Sequence, residues 1–189
     1  RFRPTEGMLR FLEGKASIGL PRPTYAQVLV PGSCAQEKSS FSLIGRDELD
    51  PILSDPSEDW VIVHELAHQW WGNLITCKDW SHFWLNEGIT TYMVAAYKEQ
   101  RWGSAAYERE LELFRKRHQV AVDAHFDVKL AFAGEYPSLR IKRAITYSKA
   151  ALFLHALRQE LGDQAFWAGL GRFTRERAGQ GVESRDFEH

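Results

Sequence analysis

With 189 residues and 44% hydrophobic side chains, the chain is long enough for one ordinary domain with a substantial apolar core. Its 24 Lys and Arg residues almost balance its 25 Asp and Glu residues, which argues against a nucleic-acid-binding protein or one held on an anionic membrane. No apolar run approaches the length of a membrane span, and the two cysteines allow at most one disulfide, so both thiols are expected to be free.

The N-terminal part of the chain predicts one helix followed by short strands. Apolar residues recur at helical spacing over residues 5–13, and Gly14 follows as a stop signal. Strands are predicted at 25–30 and 41–44, where β-branched and aromatic residues lie between Pro, Ser and Gly. The polar segment 33–38 connects them and is expected to lie along or beside the edge of a sheet.

The rest of the chain is predicted to be mostly helical. Apolar residues recur at helical spacing in segments bounded by glycines or acidic capping residues, and helices are expected at 57–72, 83–101, 104–122, 140–161 and 163–178. Segment 125–139 has weak periodicity and contains Gly and Pro, so it is expected to be a loop.

A small β portion at about 20–45 and a helical body at about 57–180 indicate a single domain of the α+β class, mostly helical, over residues 1–189. The chain does not begin with Met and stops just where a further capped helix is expected to start, which predicts a piece of a longer protein. Its first residues lack the charged-then-apolar order of a signal peptide. A soluble domain in the cytoplasm is the default expectation, and the compartment stays open.

His64 and His68 are four residues apart, and Glu65 is next to the first of them. On a helix this spacing places both imidazoles on one face, where they can bind one metal ion. The pair alone is also compatible with a surface helix, so a third ligand is needed. Glu87 lies nineteen residues after His68 on the next predicted helix, among apolar residues where an unpaired charge would be costly. Together the three side chains predict a His, His, Glu site for one zinc ion with an open position, as in catalytic zinc sites.

Residues 64–73 read HELAHQWWGN and residues 84–88 read WLNEG. These segments resemble the M1 family of zinc aminopeptidases, which are gluzincins. The resemblance continues at 145–151, ITYSKAA, which is similar to the family's Tyr-x-Lys-Gly segment with Ala150 in place of the usual Gly. It spans most of the chain and implies the thermolysin-like zinc metallopeptidase catalytic fold, with a small N-terminal β portion.

The residue types fit hydrolysis by zinc-activated water. Glu65 lies beside a metal ligand and is predicted to accept the proton of that water and deliver it to the leaving amine. The resemblance implies that Tyr147 donates a hydrogen bond to the oxyanion formed at the peptide carbonyl.

The largest departure from the family pattern lies upstream of the metal site. Family members carry Gly-x-Met-Glu-Asn on an edge strand, where the Glu binds the α-amine of the substrate. This chain reads CAQEK at 34–38, so only the Glu is kept. Glu37 is therefore predicted to bind the substrate amine, and a plain surface Glu in a polar loop is the alternative.

The sequence thus predicts a zinc-dependent aminopeptidase that removes N-terminal residues from peptides with a free N-terminus. One alternative is a zinc endopeptidase or related hydrolase with the same metal core, and another is a non-catalytic, zinc-stabilised peptide-binding module. The resemblance implies flanking domains on both sides that close the substrate cavity. No nucleic-acid or membrane partner is expected within these residues, and the short basic runs at 115–117 and 140–143 are interpreted as solvated helix faces.

Overall fold

The computed structural model of the protein describes residues 4–188, beginning with helix α1 (Thr5–Ala16). The sequence predicted that this helix stops at Gly14. It ends instead at Ala16, and Ser17 follows in the left-handed conformation with φ 55°. Ala16 is fully buried, so the packing of the last turn outweighs the low helix propensity of glycine.

Three short strands form a mixed sheet with the order β1-β3-β2: β1 (Ala26–Val30), β2 (Ala35–Lys38) and β3 (Phe41–Gly45). The central strand β3 runs parallel to β1 and antiparallel to β2. Both predicted strands are confirmed, and the polar segment expected at a sheet edge forms the edge strand β2. Glu37 lies on this edge, opposite Ser42 of β3.

A 3-10 turn (Arg46–Glu48) and helix α2 (Leu49–Ser54) lead to α3 (Trp60–Ala67). Every residue of α3 after Trp60 is buried, so this helix lies at the centre of the protein. The sequence predicted a helix up to about residue 72, but regular helix ends at Ala67. The following residues form a wide turn, in which the amides of residues 73–75 donate to the carbonyls of residues 68–70, and Gly72 adopts φ 137° within it.

The helices that follow form the body of the protein: α4 (Trp84–Trp102), α5 (Ser104–Asp123), α6 (Leu139–Arg143), α7 (Ala150–Leu161), α8 (Asp163–Glu176) and α9 (Ser184–Phe187). Segment 125–138, predicted as a loop, has no regular secondary structure. A short parallel pair of strands, β4 (Thr76–Cys77) and β5 (Gly181–Val182), ties the connection between α3 and α4 to the C-terminal segment. This pair was not predicted.

Helices α6 and α7 are joined without interruption by a π-helical turn (Ala144–Lys149) that contains Tyr147. The sequence predicted a single regular helix here. The turn packs closely against α4: a Cβ atom added to Gly88 would lie 2.4 Å from the Cβ of Ala150. Gly88 therefore makes room for the methyl group that Ala150 carries where the family pattern has Gly. This close approach brings the segment of Tyr147 to the helix that carries Glu87.

A main apolar core lies among α1, α3, α4, α7 and α8, and a smaller cluster of Ala121, Ile141, Ala144 and Ile145 fixes the π-helical turn to α5. Lys149 Nζ donates hydrogen bonds to Asp127 Oδ1 at 2.7 Å and to the Val128 carbonyl at 2.8 Å, and so anchors the irregular segment. Cys34 and Cys77 are free thiols, as expected. No helix within residues 4–188 combines the length and apolar character needed to cross a bilayer.

Candidate metal centre

Three donor atoms converge in the interior, one from α3, one from the residue that directly follows α3, and one from α4. Nε2 of His64 lies 3.2 Å from Nε2 of His68, and Oε2 of Glu87 lies 3.3 Å from the first nitrogen and 3.4 Å from the second. All three side chains are buried. The structure thus brings together the three residues predicted from the sequence as zinc ligands, although Glu87 lies on a different helix from His64.

This donor set fits a zinc ion. With separations of 3.2 to 3.4 Å between the three atoms, the point equidistant from them lies about 2 Å from each, which matches zinc–nitrogen and zinc–carboxylate bond lengths. Oε2 of Glu87 is buried and has no hydrogen-bond partner among the described residues. A buried carboxylate oxygen without such a partner is costly, and a cation at this point would satisfy it.

The electrostatics of the site favour a positive charge beside Glu87. Burial lowers the pKa of His68, but the adjacent carboxylate of Glu87 outweighs burial and raises this pKa to about 9. Burial also raises the pKa of Glu87, but the adjacent imidazoles of His64 and His68 hold it well below its usual range. The carboxylate is therefore ionised at neutral pH and suited to bind a cation.

Glu65 and Tyr147 lie at the mouth of this site, where both line a cleft of about 870 Å³. Oε2 of Glu65 is buried without a hydrogen-bond partner among residues 4–188, and burial raises the pKa of this carboxyl. The ring of Tyr147 stacks on that of His64, with centroids 6.0 Å apart and planes inclined by 13°. Burial, followed by the negative charge of Glu87, raises the pKa of the Tyr147 phenol, so it keeps its proton at neutral pH.

Glu37 reaches the same site from the edge strand β2. Its carboxylate, that of Glu65 and a ring nitrogen of His68 offer ligand atoms that all lie within 4.8 Å of one another. The half-buried carboxylate of Glu37 also accepts a hydrogen bond of 2.6 Å from Gln36. The six residues singled out in the sequence therefore lie close together at the metal centre. They include Glu37, which was predicted from an altered motif.

A family model described as the Peptidase family M1 domain matches residues 4–189. The chain belongs to peptidase family M1. This finding confirms the resemblance drawn from residues 64–73, 84–88 and 145–151.

The relatives of this M1 chain include human aminopeptidase N, which is 31% identical over 190 residues that cover 89% of this chain and 19% of the relative. Rabbit aminopeptidase N is also 31% identical, over 98% of this chain and 21% of its own length. The chain spans about a fifth of the length of these curated relatives.

Solved structures of M1 proteins share the fold. A variant of the M1 zinc metallopeptidase from Deinococcus radiodurans, bound to a Tyr-Ser-Ala substrate, is 26% identical with a TM-score of 0.76, and the match covers 97% of this chain and 39% of that one. Yeast LTA4 hydrolase is 23% identical with a TM-score of 0.82, over 98% of this chain and 31% of that one. These neighbours confirm the predicted α+β, mostly helical fold class.

Two features of this M1 site were missed in the sequence. Nδ1 of His68 lies 2.9 Å from the carbonyl oxygen of Trp71. A carbonyl only accepts hydrogen bonds, so Nδ1 carries a hydrogen, and Nε2 is the nitrogen that can bind a metal once its own proton is displaced. The buried side chain of Gln69 holds the turn after β2: its Nε2 donates to the Lys38 carbonyl and its Oε1 accepts from the Ser40 amide, both at 2.9 Å. The sequence gives no signal for either contact apart from the nearness of Gln69 and Trp71 to His68 along the chain.

Gly72 makes the contact between His68 and Trp71 possible, and Gly72→Ala is expected to weaken both folding and zinc binding. A Cβ at this position would lie 2.7 Å from Nδ1 of His68, and φ is 137°, where other residues are strained. We expect a loss of about 2 to 3 kcal/mol of stability and a zinc affinity at least about tenfold lower, measured by denaturant unfolding and competition with a chelator. Gly179→Ala is the control, because φ is 77° there and nothing lies within 4 Å of the added Cβ. It should lose stability but keep zinc affinity, and equal losses of zinc affinity in both variants would contradict the role of Gly72.

Proposed function

We propose that residues 1–189 form the zinc-binding catalytic domain of an aminopeptidase that removes N-terminal residues from peptides. The observation that carries this proposal is the convergence of His64, His68 and Glu87 on one point, with the carboxylates of Glu65 and Glu37 beside them. Because the chain spans about a fifth of its curated relatives, further domains on either side are part of the proposal.

His64, His68 and Glu87 would hold the zinc ion, with one open position. Zinc bound in this way supplies Lewis acidity, which lowers the pKa of coordinated water to about 7 and polarises a substrate carbonyl. Nδ1–H of His68, held by the Trp71 carbonyl, orients the imidazole so that Nε2 faces Glu87 and His64. The Deinococcus radiodurans neighbour is described as a zinc metallopeptidase, which supports the choice of metal.

Glu65 acts as the general base and then as the general acid. Its buried carboxylate accepts a proton from the attacking water, and its raised pKa lies closer to neutral pH, which favours both accepting and returning the proton. The same proton is delivered to the nitrogen of the leaving peptide as the C–N bond breaks. Tyr147 remains protonated at neutral pH and donates a hydrogen bond to the oxyanion on the former carbonyl oxygen.

Glu37 binds the free α-amine of the substrate. Its position on the exposed edge of the sheet allows an extended peptide to lie along β2 with its first residue between Glu37 and the metal ligands. A carboxylate at this place pairs with a charged N-terminus, whereas an internal peptide nitrogen carries no charge and cannot form this pair. This pairing restricts cleavage to one residue at a time.

Comparing an aminoacyl chromogenic substrate with its N-acetylated form tests the proposal. We expect the protein to hydrolyse the free-amine substrate and to leave the acetylated one essentially intact. Glu37→Gln should lower kcat/KM for the free-amine substrate by about tenfold to a hundredfold, because a charge-assisted hydrogen bond is lost. Glu160→Gln, an exposed change on α7, is the matched control and should have no effect.

Equal rates on free and acetylated substrates would contradict the exopeptidase assignment. Together with cleavage of blocked internal peptides, they would favour the zinc endopeptidase or related hydrolase, in which Glu37 is incidental.

A further inference from the structure

The cleft beside the metal centre has an uneven charge distribution. Its lining includes four basic side chains from two helices, Lys116 and Arg117 on α5 with Arg140 and Arg143 on α6. Its acidic lining residues are Glu65 and Glu48, and Glu48 accepts a hydrogen bond from Ser33. These four residues belong to the basic runs interpreted in the sequence as solvated helix faces. They are exposed, but the structure places them on the wall of the cleft beside the metal centre.

Most of this positive charge is not neutralised within the described part of the chain. Lys116 lies 3.7 Å from Glu112 on its own helix, and both side chains are largely exposed. Within residues 4–188, Arg117, Arg140 and Arg143 form no ion pair with a carboxylate. Unpaired guanidinium groups on the wall of a concave site attract anions, and arginine binds carboxylates through two parallel hydrogen bonds.

The position of two of these arginines relative to Tyr147 specifies which part of a substrate they would meet. Arg143 precedes Tyr147 by four residues and Arg140 precedes it by seven along nearly continuous helix. At about 1.5 Å per residue, they lie roughly 6 and 10 Å from Tyr147 along the helix axis. Arg140, Arg143 and Tyr147 line one cleft, and for an extended peptide that follows this wall at about 3.3 Å per residue, these distances correspond to two and three residues beyond the scissile bond.

We propose that Arg143 and Arg140 form a carboxylate-binding subsite for the leaving side of the substrate, so that the enzyme prefers peptides with an acidic group at about the third residue. This inference rests on the proposed function, because Glu37 and the metal ligands set the direction of the peptide. The carboxylate belongs either to an Asp or Glu side chain of the substrate or to the C-terminus of a short peptide.

Peptide binding tests this subsite without depending on turnover. The protein in its natural full length, loaded with zinc and carrying Glu65→Gln to prevent cleavage, is titrated by calorimetry with Ala-Ala-Asp-Ala-amide and with Ala-Ala-Asn-Ala-amide. Asp and Asn have nearly the same shape, so the ratio of the two Kd values isolates the charge. We expect about fivefold tighter binding of the Asp peptide at low salt and a smaller ratio at high salt, because the arginines are exposed.

Replacing both arginines, Arg140→Gln with Arg143→Gln, should bring the ratio of Kd values to about one. Arg175→Gln, an exposed change on α8 outside the cleft, should leave it unchanged. The free acid of Ala-Ala-Ala compared with its amide reports on the C-terminal source of the carboxylate. A preference confined to that pair assigns the subsite to the C-terminus, and a preference confined to the Asp peptide assigns it to the side chain.

Equal Kd values for the charged and the neutral peptide in both pairs would overturn the proposed subsite. An acidic segment of the full-length protein that neutralises these arginines would give this result. A double variant that weakens binding of the charged and the neutral peptide to the same extent would also overturn it. The arginines would then maintain the shape of the site rather than bind the carboxylate. Failure of the protein with Glu65 intact to hydrolyse any unblocked peptide, with the Asp preference retained in binding, would overturn the proposed function and leave the subsite standing.

Discussion

Glu65→Gln is expected to lower kcat by about a thousandfold while zinc remains bound. Glutamine has nearly the same shape as glutamate but cannot accept the proton of the attacking water or return it to the leaving amine. The residue contributes no atom to the triangle formed by His64, His68 and Glu87, so the metal site should persist. Steady-state hydrolysis of an aminoacyl chromogenic substrate gives kcat, and elemental analysis of the purified variant gives the zinc content.

Glu160→Gln provides the matched control for this variant, because it removes one exposed carboxylate from α7 outside the site, and its kcat should stay within about twofold of the unchanged protein. Full activity of Glu65→Gln with zinc bound would contradict the role of Glu65 as general base and general acid. It would favour the non-catalytic peptide-binding module. Loss of zinc together with activity would instead assign Glu65 to the metal.

Glu87→Gln is expected to reduce zinc affinity by more than about a hundredfold. Loss of an outer hydrogen-bond partner of a metal ligand typically costs tenfold to a hundredfold, and removal of the charged ligand itself should cost more. The amide oxygen is neutral and binds a divalent cation more weakly than the carboxylate oxygen of Glu87, which lies 3.3 and 3.4 Å from the imidazoles in a buried site. Competition with a chromogenic chelator measures the affinity.

Activity of Glu87→Gln should vanish at trace zinc and return in part when zinc is added in excess, since Glu65 and Tyr147 are unchanged. The exposed change Glu160→Gln on α7 is the control and should keep the original affinity. An unaltered zinc affinity in Glu87→Gln would show that the third ligand lies elsewhere.

The convergence of His64, His68 and Glu87 could be predicted from the sequence because helical geometry is local. The spacing of His64 and His68 places two imidazoles on one face of any helix, and the apolar neighbours of Glu87 indicate a buried carboxylate that needs a cation. The family resemblance supplied Tyr147 and Glu37. Neither of these positions follows from local periodicity, since each depends on how distant segments pack.

Features that were missed depend on tertiary structure. The early end of α3 and the contact from His68 to the Trp71 carbonyl require a turn that regular helical periodicity does not predict. The π-helical turn at Tyr147 has no sequence signal, because its widened hydrogen-bond pattern is stabilised by packing against α4 and α5 rather than by residue type. Proximity of Glu37 to Glu65 likewise depends on the register of β2 against β3.

The side chain of Gln69 joins the edge strand to the metal helix through a single amide. It follows His68 directly in the chain, and it holds the carbonyl of Lys38, which follows Glu37 directly. This contact ties the position of Glu37 to that of His68, and their ligand atoms lie within 4.8 Å of one another. In the proposed function, the spacing between the metal and the carboxylate that binds the substrate amine is therefore set by the protein before any peptide binds.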